Sequence, residues 1–236
     1  MTYVISDLHG CYDLWRRMLL KIDLKESDEL YVLGDVIDRG DEPVKLLFDM
    51  MERANVFPLL GNHEFGFWEC IASMPLGATI DNFMTFLDEK GLMNLSIMIY
   101  DGGRVTLEQY FMLSTENRAI IQDYFGEFML YYELTVNKKE FVLTHSGLMN
   151  FSPEKDISVY ETEDYLFDRP DFGKKFYKDK TIIFGHSPTM IYPENPDPGK
   201  ILKAKTYINI DCGCVFRDRG GRLGCLRLDD MKEFYV

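Results

Sequence analysis

The chain has four histidines, His9, His63, His145 and His186, and each follows an apolar run by no more than a few residues. Any one of them alone reads as an ordinary hydrogen-bonded core or loop histidine. Together with the acids beside them they read as a metal site. Asp7-x-His9 sets a carboxylate and an imidazole two residues apart in extended chain, so both point the same way toward one cation. Gly34-Asp35-Val36-Ile37-Asp38-Arg39-Gly40 is more specific, because five such fixed letters arise by chance in on the order of one in several thousand chains of this length. A turn between strand and helix explains its glycines but not its two acids and arginine. Gly61-Asn62-His63-Glu64 adds a neutral oxygen donor and a further imidazole, and His145 and His186 complete the set.

These residues need elements that bring them together. Five short apolar runs precede them: Tyr3-Val4-Ile5, Leu30–Leu33, Val56–Leu60, Phe141-Val142-Leu143 and Ile182-Ile183-Phe184. Runs of this length read as buried strands. Helix-like stretches at Tyr12–Leu20 and Pro43–Arg53 separate the first three, which is the rhythm of βαβ units. In such sheets ligands gather beyond the carboxyl ends of the strands, where all these polar residues fall. A helical insertion is predicted over about 64–126, with its clearest helices at Asp81–Glu89 and at Ser114–Phe125, the second capped by Ser114. A hairpin is predicted from Phe128–Val136 and Phe141–Thr144, turning at Asn137-Lys138-Lys139. Later strands are expected at Thr206–Ile210, Arg222–Leu228 and Glu233–Tyr235. Pro188, Pro193, Pro196 and Pro198 make a stiff loop after His186. The expected architecture is a single α/β domain spanning 1–236, a sandwich of two mixed sheets flanked by helices.

At 236 residues with 46% hydrophobic content the chain can fill a sizeable core. Its net charge of -13 works against nucleic acid or an anionic membrane as partner, and against a nuclease. No stretch approaches a membrane span, and the first strand leaves no room for a signal peptide, so a cytoplasmic location is expected. Nothing demands more than a monomer. Five cysteines, an odd number, fit reduced thiols. Cys212-x-Cys214 invites a zinc site, but no second Cys or His pair lies nearby, and small buried thiols are the expected reading.

The motifs around Asp7, Asp35, Asn62, His145 and His186 resemble those of the serine/threonine phosphoprotein phosphatases, in their bacterial and phage branch, within the calcineurin-like metallophosphoesterases. The resemblance runs from Ser6 to about Phe216. It implies two divalent cations, with Asp7 and His9 holding the first, Asn62, His145 and His186 the second, and Asp35 bridging them. Such mixed donors suit Mn²⁺, the first choice, or Fe or Zn²⁺, better than Ca²⁺. It further implies that Arg39 and Arg169, the latter in Leu166-Phe167-Asp168-Arg169-Pro170, hold the phosphoryl group together with Asn62. Lys174, Lys175 and Lys178 read as a solvated face. Ser6, Ser146 and Ser187 depart from residues common in the family, and none removes a ligand.

The implied activity is metal-dependent hydrolysis of a phosphomonoester, a phosphoprotein or a small phosphoester, by direct in-line attack of a hydroxide activated between the two cations. Arg39 and Arg169 would stabilise charge on the equatorial oxygens. His63, oriented by Asp38, would protonate the departing alkoxide. The nearest rival is a symmetrical dinucleoside-tetraphosphate hydrolase. Asp38 and Glu64 favour the phosphomonoester reading, while a pocket-facing Tyr192 that stacks on a nucleobase would favour a nucleotide. A noncatalytic binding module is disfavoured, because every expected ligand is present.

Overall fold

The computed structural model describes residues 1–236. The chain opens with β1 (Thr2–Ile5), α1 (Tyr12–Ile22), β2 (Glu29–Val32), α2 (Pro43–Met51) and β3 (Val56–Pro58). Four helices follow, α3 (Asn62–Ile71), α4 (Glu89–Tyr100), α5 (Arg104–Met112) and α6 (Thr115–Phe125), and then the hairpin β4 (Tyr131–Val136) and β5 (Lys139–Thr144). The last third carries α7 (Thr162–Leu166), β6 (Lys180–Phe184), β7 (Leu202–Lys203), β8 (Tyr207–Asn209), β9 (Gly224–Arg227) and β10 (Lys232–Tyr235). Two mixed five-stranded sheets result, ordered β10-β9-β1-β2-β3 and β4-β5-β6-β8-β7. β1, β2 and β3 are parallel, as are β5, β6 and β8.

The apolar runs are continuous because both faces of each strand are buried. Side chains alternate along a strand, and here the alternation sorts them between layers. Val4, Tyr31, Leu143 and Ile183 meet between the two sheets. Tyr3, Ile5, Leu30 and Val32 face outward under α1 and α2, while Val142, Ile182 and Phe184 face outward under Tyr160, Tyr165 and Phe176.

α1 buries Leu14, Trp15, Met18, Leu19 and Ile22, the three-and-four spacing of an amphipathic helix. The Trp15 indole donates to Asp49 at 2.5 Å, which ties α1 to α2, and Arg53 donates to both oxygens of that carboxylate, at 3.0 and 3.2 Å. Trp15 is fully buried, so Trp15→Ala is expected to cost about 3–5 kcal/mol. Pro43 opens α2 where its missing N–H costs nothing. No helix is long and apolar enough to cross a membrane.

The helical stretch differs from expectation in two ways. It begins at Asn62, so Asn62 and His63 sit on the first turn of α3. And Asp81–Glu89 is not a helix: it holds a single 3₁₀ turn at Phe83–Phe86, and α4 starts only at Glu89. Asp88 is the reason, since its side chain accepts the Gly91 N–H at 2.8 Å with extended backbone, the arrangement of an N-cap. Ser114 caps α6 as predicted, accepting from the Asn117 N–H at 3.2 Å.

Candidate metal centre and active site

All four histidines and the acids singled out in the sequence fall at the carboxyl ends of β1, β2, β3, β5 and β6, where the parallel strands of both sheets open. The loops that carry them are strained. Of the eleven non-glycine residues with positive φ, six belong here: Asp7, His9, Asp35, Asp38, Arg39 and His186. L-residues pay for this conformation, and it persists where the surroundings over-determine it.

Glu64 supplies much of that determination. It is fully buried, and its carboxylate accepts the backbone N–H groups of Asp35 (2.8 Å), Val36 (2.8 Å), Ile37 (3.1 Å) and Gly61 (3.0 Å). Burial, with Asp35 nearby, pushes its pKa up to about 7. The four donors nevertheless take up both oxygens and favour the charged form. Gly34, at φ +83°, is pressed against Gly61: a Cβ on Gly34 would lie 2.6 Å from the Gly61 backbone and 2.8 Å from His145 Nδ1. The two loops therefore interlock, and any side chain at residue 34 would separate them.

Four lone-pair atoms converge. His145 donates from Nδ1 to the Leu33 carbonyl at 2.7 Å, which leaves Nε2 bare. That Nε2 lies 3.0 Å from Asn62 Oδ1 and 3.5 Å from Asp35 Oδ1, with His186 Nδ1 at 3.2 Å. Burial and the neighbouring His145 push the His186 pKa down to about 2, so it is neutral. Ligands about 2.0–2.2 Å from one cation stand about 3–3.6 Å apart in tetrahedral or octahedral geometry, so these four fit a metal ion. His9, Asp35 and His63 form a second group able to hold a metal. Burial raises the Asp35 carboxyl, but the four imidazoles, His145 foremost, outweigh it and hold the group well below the usual carboxylate range. Asp35 thus faces both groups. Asp7 belongs to neither; its carboxylate accepts the His186 N–H at 3.0 and 3.1 Å and the Ser6 hydroxyl.

Arg39 lies across the centre. Nη1 is 2.7 Å from His9 Nε2, Nη2 is 2.9 Å from His63 Nε2, and Nε donates to the Asp101 carbonyl at 3.1 Å. His9 donates from Nδ1 to the Ile37 carbonyl at 3.0 Å, so its Nε2 is the acceptor. His63 Nδ1 is 2.6 Å from Asp38 Oδ2. Burial opposes a charge on His63, yet the Asp35 and Asp38 carboxylates prevail and raise its pKa to about 9. Arg169 reaches the same site from beyond α7, donating to the His186 carbonyl at 3.3 Å and to Ser187 Oγ at 3.2 Å.

Thr106, Gly102 and Asp211 matter here and carried no readable signal, and other residues sit differently from expectation. Thr106, on α5, donates to Asp38 Oδ1 at 2.5 Å and accepts the Asp38 N–H at 3.0 Å, and the Gly102 carbonyl accepts from the Arg39 N–H at 3.0 Å. The helical stretch therefore braces the Asp38-Arg39 turn from as far as 68 residues away in sequence. Asp211 is buried near Asp7; burial first, then Asp35, pushes its pKa up to about 7. Lys174 is not the solvated residue expected: it pairs with Asp168 at 2.5 Å and donates to the Leu148 carbonyl at 3.0 Å, bracing the Arg169 turn. Tyr192 is buried, with its hydroxyl on the Pro170 carbonyl at 3.2 Å, and it lines a cavity of about 480 Å³ beside Arg169. All five cysteines are buried free thiols, and Cys214 Sγ lies 2.9 Å from the Asp7 carbonyl.

A two-sheet sandwich with a His, Asp and Asn cage at its strand ends defines a metal-dependent phosphoesterase. The calcineurin-like phosphoesterase family profile matches residues 2–190, and the chain belongs to that family. It is 23% identical to the asymmetrical bis(5'-nucleosyl)-tetraphosphatase PrpE of Geobacillus sp. (strain WCH70), across 99% of this chain and 92% of that one. It is 26% identical to the symmetrical bis(5'-nucleosyl)-tetraphosphatase of Nitrosomonas europaea, across 100% and 97%. The fold is shared by a protein serine/threonine phosphatase from Saccharomyces cerevisiae with similarity to human PP5, at a TM-score of 0.62 and 15% identity, covering 100% of this chain and 78% of that one.

Proposed function

We propose that this chain hydrolyses dinucleoside tetraphosphates at a P–O–P anhydride. This is the rival reading of the sequence, and it gains support from relatives of that name matched along nearly their whole length. The observation that carries it is the surroundings of the centre. A recess lined by Asp38, His63 and Phe167 adjoins one part of it, and a separate one lined by Arg169, Phe172 and Tyr192 adjoins another. A substrate with a nucleoside at each end needs room of this kind beyond the reacting phosphorus.

In this reading His9 and Asp35 would hold one divalent cation, joined by Asp7 once its carboxylate turns from the His186 N–H, and Asp35, Asn62, His145 and His186 would hold the other, with Mn²⁺ the first candidate. Bound there, the pair would lower the pKa of water and neutralise phosphoryl charge. The protein's own residues do the rest. Arg39 and Arg169 bind the phosphoryl oxygens through their N–H groups, and Asn62 fixes the group beside them. Water forms the new bond to phosphorus in line and releases its proton to solvent as the bridging P–O bond breaks, and the electron pair leaves on the departing phosphate oxygen. His63, held at Nδ1 by Asp38, presents its other nitrogen, Nε2, to that oxygen as proton donor.

A second reading, a phosphomonoesterase acting on phosphoserine or phosphothreonine, is favoured by one observation. The 2.6 Å Asp38–His63 pair is most useful where an alkoxide leaves, because a departing phosphate needs little protonation. The deciding experiment strips the protein of metal, restores Mn²⁺, Fe²⁺ or Zn²⁺ separately, and compares diadenosine tetraphosphate, a phosphoserine peptide and an aryl phosphate. A kcat/KM for the dinucleotide at least about tenfold above that for the peptide is expected; the reverse order would select the phosphomonoesterase.

A further inference from the structure

We propose that the recess beside His63 is a nucleobase subsite, one that takes an amino-bearing base of the departing nucleotide; this rests on the dinucleotide reading above. The recess is a cavity of about 180 Å³ between α3 and α4, closed by the turn after α7. Phe65 of α3 and Phe167 of that turn line it, with Ile97 and Met98 of α4. Phe167 is 42% exposed and Ile97 51% exposed, so apolar surface stands open to a ligand next to the proton donor. Aromatic and aliphatic walls of this kind suit a flat ring.

The polar lining says which ring. Asp38, Glu69 and Asp101 are among its lining residues, and neither Lys nor Arg lines it, so beyond His63 no cation lines it to draw a phosphate further in. Glu69 accepts from Asn94 Nδ2 at 2.6 Å and from Lys90 at 2.9 Å. That bond orients the Asn94 amide with its oxygen free. An exocyclic amine, a donor, matches this edge, as in adenine. A uracil edge, with carbonyls in that place, meets acceptors only.

Gly66 supplies the independent observation. It lies inside α3 and lines the recess, and a Cβ built there meets nothing within 4 Å. Glycine inside a helix is destabilising relative to alanine, and neither packing nor a positive φ asks for it here. What its missing side chain keeps open is the floor of the cavity.

Gly66→Ala and Gly66→Leu, each with Mn²⁺ restored, test this. Gly66→Ala is expected to raise Tm, which shows that the fold tolerates the site. Gly66→Leu is expected to leave aryl phosphate turnover within about twofold and to raise KM for diadenosine tetraphosphate at least about tenfold. The wild type should prefer diadenosine over diuridine tetraphosphate at least about tenfold, and Asn94→Leu should erase that preference. Direct binding of adenosine to the wild type, followed by chemical-shift perturbation, should weaken in Gly66→Leu. If diadenosine tetraphosphate is cleaved with a KM indifferent to Gly66→Leu, the subsite is overturned while the dinucleotide reading stands. If the wild type cleaves aryl phosphate but no dinucleotide, that reading falls and the subsite with it. If Gly66→Leu instead impairs only a phosphopeptide with a basic neighbour, the recess serves a protein substrate and the proposal is overturned.

Discussion

The two halves of the candidate metal centre differ in how far their donors are already gathered. Around His145 the donor atoms stand 3.0–3.5 Å apart, and His145 is fully buried. Around His9 they are looser: His9 Nε2 is 3.8 Å from Asp35 Oδ2, the Asp7 carboxylate is taken up by the His186 N–H and Ser6, and the Arg39 guanidinium sits 2.7 Å from the His9 donor atom. One half is preorganised, whereas the other must move a cationic side chain off its ligand before a cation can settle. The arginine that competes there is also the one proposed to hold phosphate. Metal binding and substrate binding are thereby linked through one side chain.

This contrast can be broken or sharpened by substitution. The largest effect is expected for Asp35→Ala, which removes the carboxylate facing both groups: activity on every substrate should fall to background, with less than one metal ion per chain by elemental analysis. Next, Mn²⁺ titration of the stripped wild type should show two affinities. His145→Ala should abolish the tighter and His9→Ala only the weaker; one affinity, or the opposite assignment, would contradict the contrast. Arg39→Ala should lower kcat/KM by about 10²–10³ and yet tighten the weaker metal step, a pairing that a purely structural role does not produce.

His63→Asn is expected to cost about 10²–10⁴ on an alkyl phosphate and distinctly less on an aryl phosphate, whose leaving group needs little help. Equal losses would remove the proton donor from the scheme. The smallest of these effects belongs to Glu64→Gln, which puts an NH₂ group against backbone N–H donors. Metal affinity should fall by about 10–100-fold, with Glu64→Asp failing to restore it because the shorter chain no longer spans the two loops.

How legible the site was depended on whether a residue's role is local. Asp7, His9, Asp35, His145 and His186 each end an apolar strand run, and parallel strands deliver their ends to one side, so their emergence at one end of the sheets is legible in the sequence, whereas the turning of the Asp7 carboxylate to the His186 N–H is not. The hairpin was legible for the same reason, with Asn137 and Lys138 at its turn. The helices after α3 were less so. An aspartate inside an apolar stretch reads equally as a helical residue or as a cap, and Asp88 became a cap. Lys174 looked solvated because nothing in its own neighbourhood announces Asp168 as a partner. Thr106 had no signal at all, since its role exists only once α5 lies against the Asp38 turn.

The amino-acid sequence by itself determined the strand rhythm, the donor atoms and the side of the sheets on which they emerge, because periodicity and strand direction are properties of neighbouring residues. Only the tertiary structure decided which half of the centre is preformed, where Arg39 rests, and that Gly66 faces a cavity instead of a neighbour. Those outcomes depend on distances between segments far apart in the chain, set by packing, which no local pattern encodes.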